Sequence, residues 1–193
     1  FFSPEQLASL WHAEGLKPIY QRYLRFMIST PLRAGEAAQL RWDQVDADRS
    51  ELHFTHHDTK NSEHFVMPLS KIAANVIWAF PQEQNRFVFP LSSLDGAQMS
   101  AWSHFNRCVR KASGIDHFIL HDLRRTFSTL MAEHTDTSES IIDSLLNHKQ
   151  SATRGGVMRH YQKAKNLEKR RDVMAQWGKL LEKWGMTPPT ANE

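Results

Sequence analysis

The stretch that most constrains this chain is His121-Asp122-Leu123-Arg124-Arg125-Thr126-Phe127-Ser128-Thr129-Leu130-Met131. At helical spacing Leu123, Phe127, Leu130 and Met131 make one apolar stripe, as a core-facing amphipathic helix requires. His121 falls away from that stripe and Arg124 on its border, three residues on, and side chains at that separation are neighbours on a helix surface. A helix here can anchor itself in a core while holding an imidazole and a guanidinium toward one site. The guanidinium is a flat five-donor fork that suits phosphate, and His is the side chain whose ordinary titration lies nearest neutral pH. Taken alone, a surface ion pair or a helix-terminal His is the simpler account of the pair. The flanking sequence is what changes the balance.

Such a helix needs a core to pack on, and 193 residues suffice for one well-packed domain. Forty per cent apolar and 23% charged residues are ordinary for a globular chain. No run of eighteen apolar residues and no charged-then-apolar leader is present, so neither a membrane helix nor a secretory signal is expected. Cys108 is the single cysteine, which excludes an internal disulfide framework and Cys-based zinc sites and points to a reducing cytoplasm. A formal charge of +3 permits nucleic-acid binding without arguing for it. The distribution says more: Arg154 to Lys183 holds nine Lys/Arg against three Asp/Glu, and Thr126 to Asn147 holds four Asp/Glu and no Lys or Arg. A basic and an acidic surface are expected. A helix solvated on its outer face accounts for the basic run as well as a phosphate-tracking patch does.

Ser3-Pro4-Glu5-Gln6 opens a helix, with Ser3 as N-cap, Pro4 in the first turn and Gln6 closing a capping box. So clean a start reads as a chain cut at a domain boundary. Pro18 begins a second helix carrying Ile19, Tyr23, Phe26 and Met27. Pro31 disfavours helix in the residue before it, so one helix ends there and another begins near Arg33, where unpaired amides favour anions. Glu36 is placed to orient Arg33 or to cap the turn; a local Arg–Glu pair is the competing account.

Between Trp42 and Leu69, short alternations of Val45, Leu52, Phe54, Phe65 and Met67 are divided by turn chemistry at 46–50 and 58–62, which predicts three antiparallel strands. Lys60 falls at the tip of the second hairpin, where a lysine is usually a solubilising charge. His53, His56, His57 and His64 raise a metal site, but no H-E-x-x-H spacing occurs and adjacent strand residues face opposite ways. Further helices are expected over 70–80, stopped by Pro81, and over 98–112, with Cys108 on the buried stripe and Gly114 as terminator. Residues 86–90 read as a short extended segment. Asp136 and Glu139 are expected to cap a helix bearing Ile141, Ile142, Leu145 and Leu146. Asn147 then takes the left-handed position after it, and His148 follows directly. A polar loop, a short segment from Val157 to Lys163 and a basic amphipathic helix with Leu167, Met174, Trp177, Leu181 and Trp184 complete the chain.

Arg33, Lys60, His121-x-x-Arg124, His148 and Tyr161 thus stand in a fixed order. That order resembles the catalytic signature of the tyrosine recombinases, the phage-integrase family whose chemistry is shared with type IB topoisomerases. The match runs from about Ser3 to Trp184. It is most specific at His121–Phe127, at Leu145-Leu146-Asn147-His148 and at Tyr161. The Leu-Leu-Asn-His run and the ending from Val157 to Arg171 look most like prophage integrases of the satellite-phage type.

The resemblance implies a mainly helical α+β fold with a small three-stranded antiparallel sheet. It implies a catalytic domain over 1–184 and a tail over 185–193, without the N-terminal DNA-gripping domain that the family usually adds. In that family Tyr161 would attack a DNA phosphodiester, and Arg33 and Arg124 would grip the non-bridging oxygens. Lys60 would protonate the departing 5′-oxygen, His121 would act as general acid/base, and His148 would bond the phosphate. No metal or other cofactor is implied. The implied partners are double-stranded DNA at attachment sites, a tetramer formed on DNA from chains monomeric in isolation, an excisionase and a host DNA-bending protein.

Three departures from the family pattern stand out. Pro31 replaces a Gly before Leu-Arg, which puts the Arg33 turn in question. Asn147 replaces a Gly before the second His. The interval from His148 to Tyr161 is long and holds Gly155-Gly156, so a mobile tyrosine segment is expected. Two other functions compete: a catalytically decayed, DNA-binding remnant of a prophage integrase, and a metal-dependent His-rich nuclease. The apolar edge Trp177/Leu181/Trp184 fits a bridge to a neighbouring subunit or packing within the chain.

Overall fold

The computed structural model describes residues 1–48, 50–59, 64–79, 86–90, 101–147 and 157–188, with the backbone alone over 157–165. Lys60 and His148 therefore lie outside the described residues, as do Phe80, Pro81 and positions 98–100.

Helix α1 (Pro4–Trp11) starts as its sequence requires: the Gln6 amide donates to Ser3 Oγ at 3.3 Å and the Ser3 amide donates back to Gln6 Oε1 at 2.9 Å. Leu7, Leu10 and Trp11 bury its apolar edge against α2 (Pro18–Ser29). Helix α2 is the axis of the core, with Tyr23, Leu24 and Phe26 fully covered. Its Arg22 is buried among carbonyls, donating to Val76 O, Ile77 O and Val88 O at 3.3, 2.7 and 3.0 Å. Thr30 then turns extended before Pro31, ending α2 where the proline requires. The short α3 (Ala34–Ala38) follows, with Arg33 at its N-cap.

The three expected strands are present: β1 (Val45–Asp46), β2 (Glu51–Phe54) and β3 (Phe65–Pro68) form one antiparallel sheet in that order. Leu52 pairs with Met67 and Phe54 with Phe65, so one face is apolar and inward while His53 points out. Helix α4 (Lys71–Trp78) is capped by Ser70. The 86–90 segment is extended, bridging Phe87 to Arg41 and burying Val88 and Phe89. Helix α5 (Trp102–Ser113) ends at Gly114 with φ 71°, a left-handed residue that glycine adopts without steric cost. Next come α6 (Asp122–His134), α7 (Glu139–Leu145) and α8 (Val157–Lys183).

Three expectations need correction. The N-cap of α7 is Ser138, not Asp136, because the Thr135 and Thr137 hydroxyls bond each other and keep the chain extended two residues longer. The segment from Val157 to Lys163 is the first part of α8, one continuous helix; no proline interrupts 157–183, and its one glycine, Gly178, sits where the helix crosses Ser70. Cys108 is half-buried rather than sealed in the core, its Sγ 3.5 Å from His104 Nε2.

Helix α8 is tied to the body at several levels. Trp177 is buried and donates through Nε1 to Ile28 O at 3.1 Å, and Leu181 is fully covered, so this edge packs within the chain. Arg171 donates through Nε to the buried Glu51 carboxylate at 2.9 Å, with Nη2 on the same oxygen. Arg170 donates to Val66 O at 3.0 Å and lies 5.3 Å over the Phe65 ring. Burial draws the Arg170 guanidinium down to about 10, with Glu51 opposing and Arg171 adding. The helix that carries Tyr161 is thereby fastened to the sheet that leads to Lys60.

Candidate active site

Helix α6 is the platform. Leu123, Phe127, Leu130 and Met131 are all buried, which fixes the helix rotation, and Phe127 meets Trp177 edge-on at 5.2 Å. That rotation leaves His121 exposed at the N-cap and turns Arg124 inward, 5% exposed.

Arg124 is held by backbone rather than by a carboxylate. Its Nη2 donates to Leu146 O at 2.8 Å, just past the end of α7, and its Nη1 to Pro31 O. Arg33 comes from the other side. Its Nη2 donates to Asn147 O at 3.0 Å and its Nη1 to Glu36 Oε1 at 2.8 Å, while the Arg33 amide donates to Glu36 Oε2 at 3.1 Å. Two guanidiniums thus rest on the successive carbonyls of Leu146 and Asn147, beyond the last turn of α7. A helix C-terminus offers such carbonyls, and its dipole favours cations there. Asn147 is left-handed at φ 49°, as its sequence position predicts, and this turn aims the two carbonyls at the arginines.

The electrostatics follow from that proximity. Burial, and then the Arg33 charge, draw Arg124 down to about 10, and Glu36 opposes them. It stays charged at neutral pH. Partial burial followed by the Arg124 and Arg125 charges lowers the His121 imidazole below its ordinary value; Asp122 opposes and Arg33 adds to the lowering. His121 is therefore neutral at pH 7, the form that can accept a proton. Glu36 is the carboxylate that orients Arg33, so the expected local pair and the expected cap are one arrangement.

Of the residues singled out in the sequence, Arg33, His121 and Arg124 come together. Tyr161 lies on the first turns of α8, and Lys60 and His148 lie outside the described residues. Pro31 leaves the Arg33 turn intact and its carbonyl serves Arg124. The carbonyls of Pro31, Leu146 and Asn147 were not legible in the sequence, because every residue has one and no side-chain type marks it. Among the described residues no three His, Cys, Asp or Glu side chains converge to hold a metal ion. His56 and His57 lie ring to ring at 3.8 Å. No described helix is long and apolar enough to cross a membrane.

Known proteins bear on this arrangement. Among curated proteins, prophage integrase IntF of Escherichia coli K12 is 29% identical over 173 residues, 86% of this chain and 34% of that protein. Prophage integrase IntA of the same strain is 27% identical over 184 residues, 93% of this chain and 43% of that one. The chain thus spans between a third and a half of the length of these relatives. Among solved structures, XerA recombinase superposes with a TM-score of 0.64 at 16% identity, over 86% of this chain and 63% of that one. The integrase from mycobacterium phage Brujita gives 0.69 at 16% identity, over 95% and 62%. These two likenesses establish the tyrosine recombinase fold, mainly helical with its three-stranded sheet. The phage integrase family profile matches residues 1–166, and on that match the chain belongs to the phage integrase family of tyrosine recombinases.

Proposed function

We propose that this chain is the DNA-cleaving and rejoining portion of a prophage integrase, with residues 1–184 as its catalytic domain and 185–193 as its tail. The observation that carries the reading is the pair of guanidiniums on the Leu146 and Asn147 carbonyls, with the His121 imidazole at the N-cap of the helix that bears Arg124. A rigid fork of N–H donors stabilises charge that builds on a phosphate, and held in place beforehand it costs no reorganisation.

Tyr161 Oη attacks the scissile phosphorus and its proton passes to His121. Arg33 and Arg124 hold the non-bridging oxygens, and His148 bonds the same phosphate. The P–O5′ bond breaks as Lys60 gives a proton to the leaving oxygen, leaving a 3′-phosphotyrosine and a free 5′-hydroxyl. A phenol with a reference pKa of about 10 needs such a base and such cations near neutrality. The ester keeps the bond energy, so rejoining needs no nucleotide, and protein cations fill the electrostatic role that metals fill elsewhere. In the whole protein the outcome is integration or excision of mobile-element DNA in the cytoplasm. It works as a tetramer of otherwise monomeric chains on attachment-site DNA, with an excisionase and a host DNA-bending protein.

The test is a nicked suicide duplex drawn from the ends of host tRNA genes. A covalent protein–DNA adduct that is lost in Tyr161→Phe and unaffected by EDTA is expected. DNA binding without adduct at any salt concentration would mark a decayed binder. Cleavage abolished by EDTA would mark a metal-dependent nuclease.

A further inference from the structure

Away from the active site, a single 3₁₀ turn, Trp42–Gln44, runs into β1 at the edge of the sheet. The chain returns to β2 through a bend in which the Ser50 amide donates to Ala47 O at 3.4 Å and Ser50 is left-handed at φ 51°. Asp46 pairs with Glu51 across that bend. His53 of β2 stands outward, its Nε2 3.3 Å from Glu51 Oε2 and 3.8 Å from Asp46 Oδ2. Between these walls lies an open concavity of about 430 Å³, a volume usual for ligand sites. Asp43, Gln44, Asp46, Asp48 and His53 line it, and among the described residues no lysine or arginine does.

Two properties of the concavity define what it can hold. The first is charge: Asp43, Asp46 and Asp48 make it negative, even though Arg41 Nε answers Asp43 at 3.1 Å. A phosphate is repelled from such a surface and a cation is drawn to it. The second is Gln44, which is 5% exposed. Its Oε1 accepts the Arg41 amide at 2.9 Å, which fixes the side-chain amide in one orientation and leaves Nε2 buried with no acceptor. A buried N–H donor ordinarily has a partner, so this one points to an oxygen supplied from outside the chain. A metal ion or a polyamine brings positive charge but no acceptor. An extended peptide bearing lysine or arginine brings both, carbonyl oxygens along its backbone and cations on its side chains.

We propose that this concavity is a docking site for an extended, lysine- or arginine-bearing segment of a partner protein. A backbone carbonyl of that segment accepts from Gln44 Nε2, and its cations pair with Asp46 and Asp48. The site shares no residue with the arginine and histidine cluster, so it stands or falls independently of the cleavage chemistry proposed above.

The test separates peptide recognition from charge attraction. Two probes with the same number of cations are titrated at low salt: a blocked peptide of four lysines alternating with four alanines, and spermine, which has no carbonyl. The native chain is expected to bind the peptide more tightly. Gln44→Met should weaken the peptide roughly threefold to tenfold and leave spermine unchanged. The double variant Asp46→Asn/Asp48→Asn should weaken both probes roughly fivefold. A native chain that binds neither probe, or binds both equally, overturns the site. So does a Gln44→Met chain with native peptide affinity, or a double variant with native affinity for both. Should Gln44→Met fail to fold by circular dichroism, or weaken both probes alike, the Gln44 side-chain amide signal in the ¹H–¹⁵N spectrum of the native chain decides. A downfield shift with the peptide and none with spermine supports the site, and any other response overturns it.

Discussion

His121 and Arg124 are three residues apart and have opposite fates. One is exposed at the N-cap, and the other is sunk among carbonyls with its charge intact. Arg124 can remain charged there because Leu146 O and Pro31 O replace part of the water it has lost, as a buried cation requires. The cost of that arrangement falls on His121, which sits in the field of Arg124, Arg125 and Arg33. Its pH dependence follows with a definite sign. The neutral imidazole is the active base and its pKa is lowered, so adduct formation should fall toward acid with its inflection below about 6.5, the ordinary His value. Arg125 is largely exposed, 68% by side chain, and bonds Asp122 at 3.2 Å. Arg125→Ala removes a repelling charge and frees Asp122, so the inflection should move up. A pH–rate profile of adduct formation in the two proteins checks this; an unmoved inflection would mean that another group sets it.

At the scale of elements, the fold was legible where local chemistry is strong and illegible where a distant contact decides. Ser3, Pro18, Pro31 and Gly114 each mark a helix boundary, because caps, proline and left-handed glycine act within one turn. The alternation around Leu52 and Met67 was enough for the sheet, since a period of two has one buried face. The continuity of α8 was not legible. Its beginning looks like a separate segment in sequence, and Gly178 lies within the helix. The structure gives that glycine its reason: a Cβ there would lie 2.8 Å from Ser70 Cβ, at the cap of α4. Gly178→Ala should therefore destabilise the protein by about 1–3 kcal/mol through overpacking, despite alanine's better helix propensity. Urea unfolding monitored by tryptophan fluorescence would measure it, and a stabilised variant would refute the close crossing.

For the whole molecule, a net charge of +3 understates how charge is arranged. Cations gather at the site around His121, through Arg33, Arg124 and Arg125, while Thr126 to Asn147 contributes acidic residues. DNA binding by such a surface releases counterions, so the affinity should fall log-linearly with salt, by about 0.9 in slope for each phosphate neutralised. Binding of a fluorescent duplex across a salt series is the measurement. Arg33→Ala should reduce the slope by about one. An unchanged slope would place that arginine off the phosphate.

The sequence by itself determined the elements apart from the start of α7 and the continuity of α8, the core stripe of α6 and the order of the polar residues that mark the family. These depend on spacing and on side-chain type, both of which a chain carries in one dimension. Tertiary structure alone decided which atoms hold the arginines, why Gly178 must be small, and how Arg171 meets Glu51. Each of those depends on backbone or side-chain atoms brought together from distant parts of the chain, and no local pattern encodes where two such parts will cross.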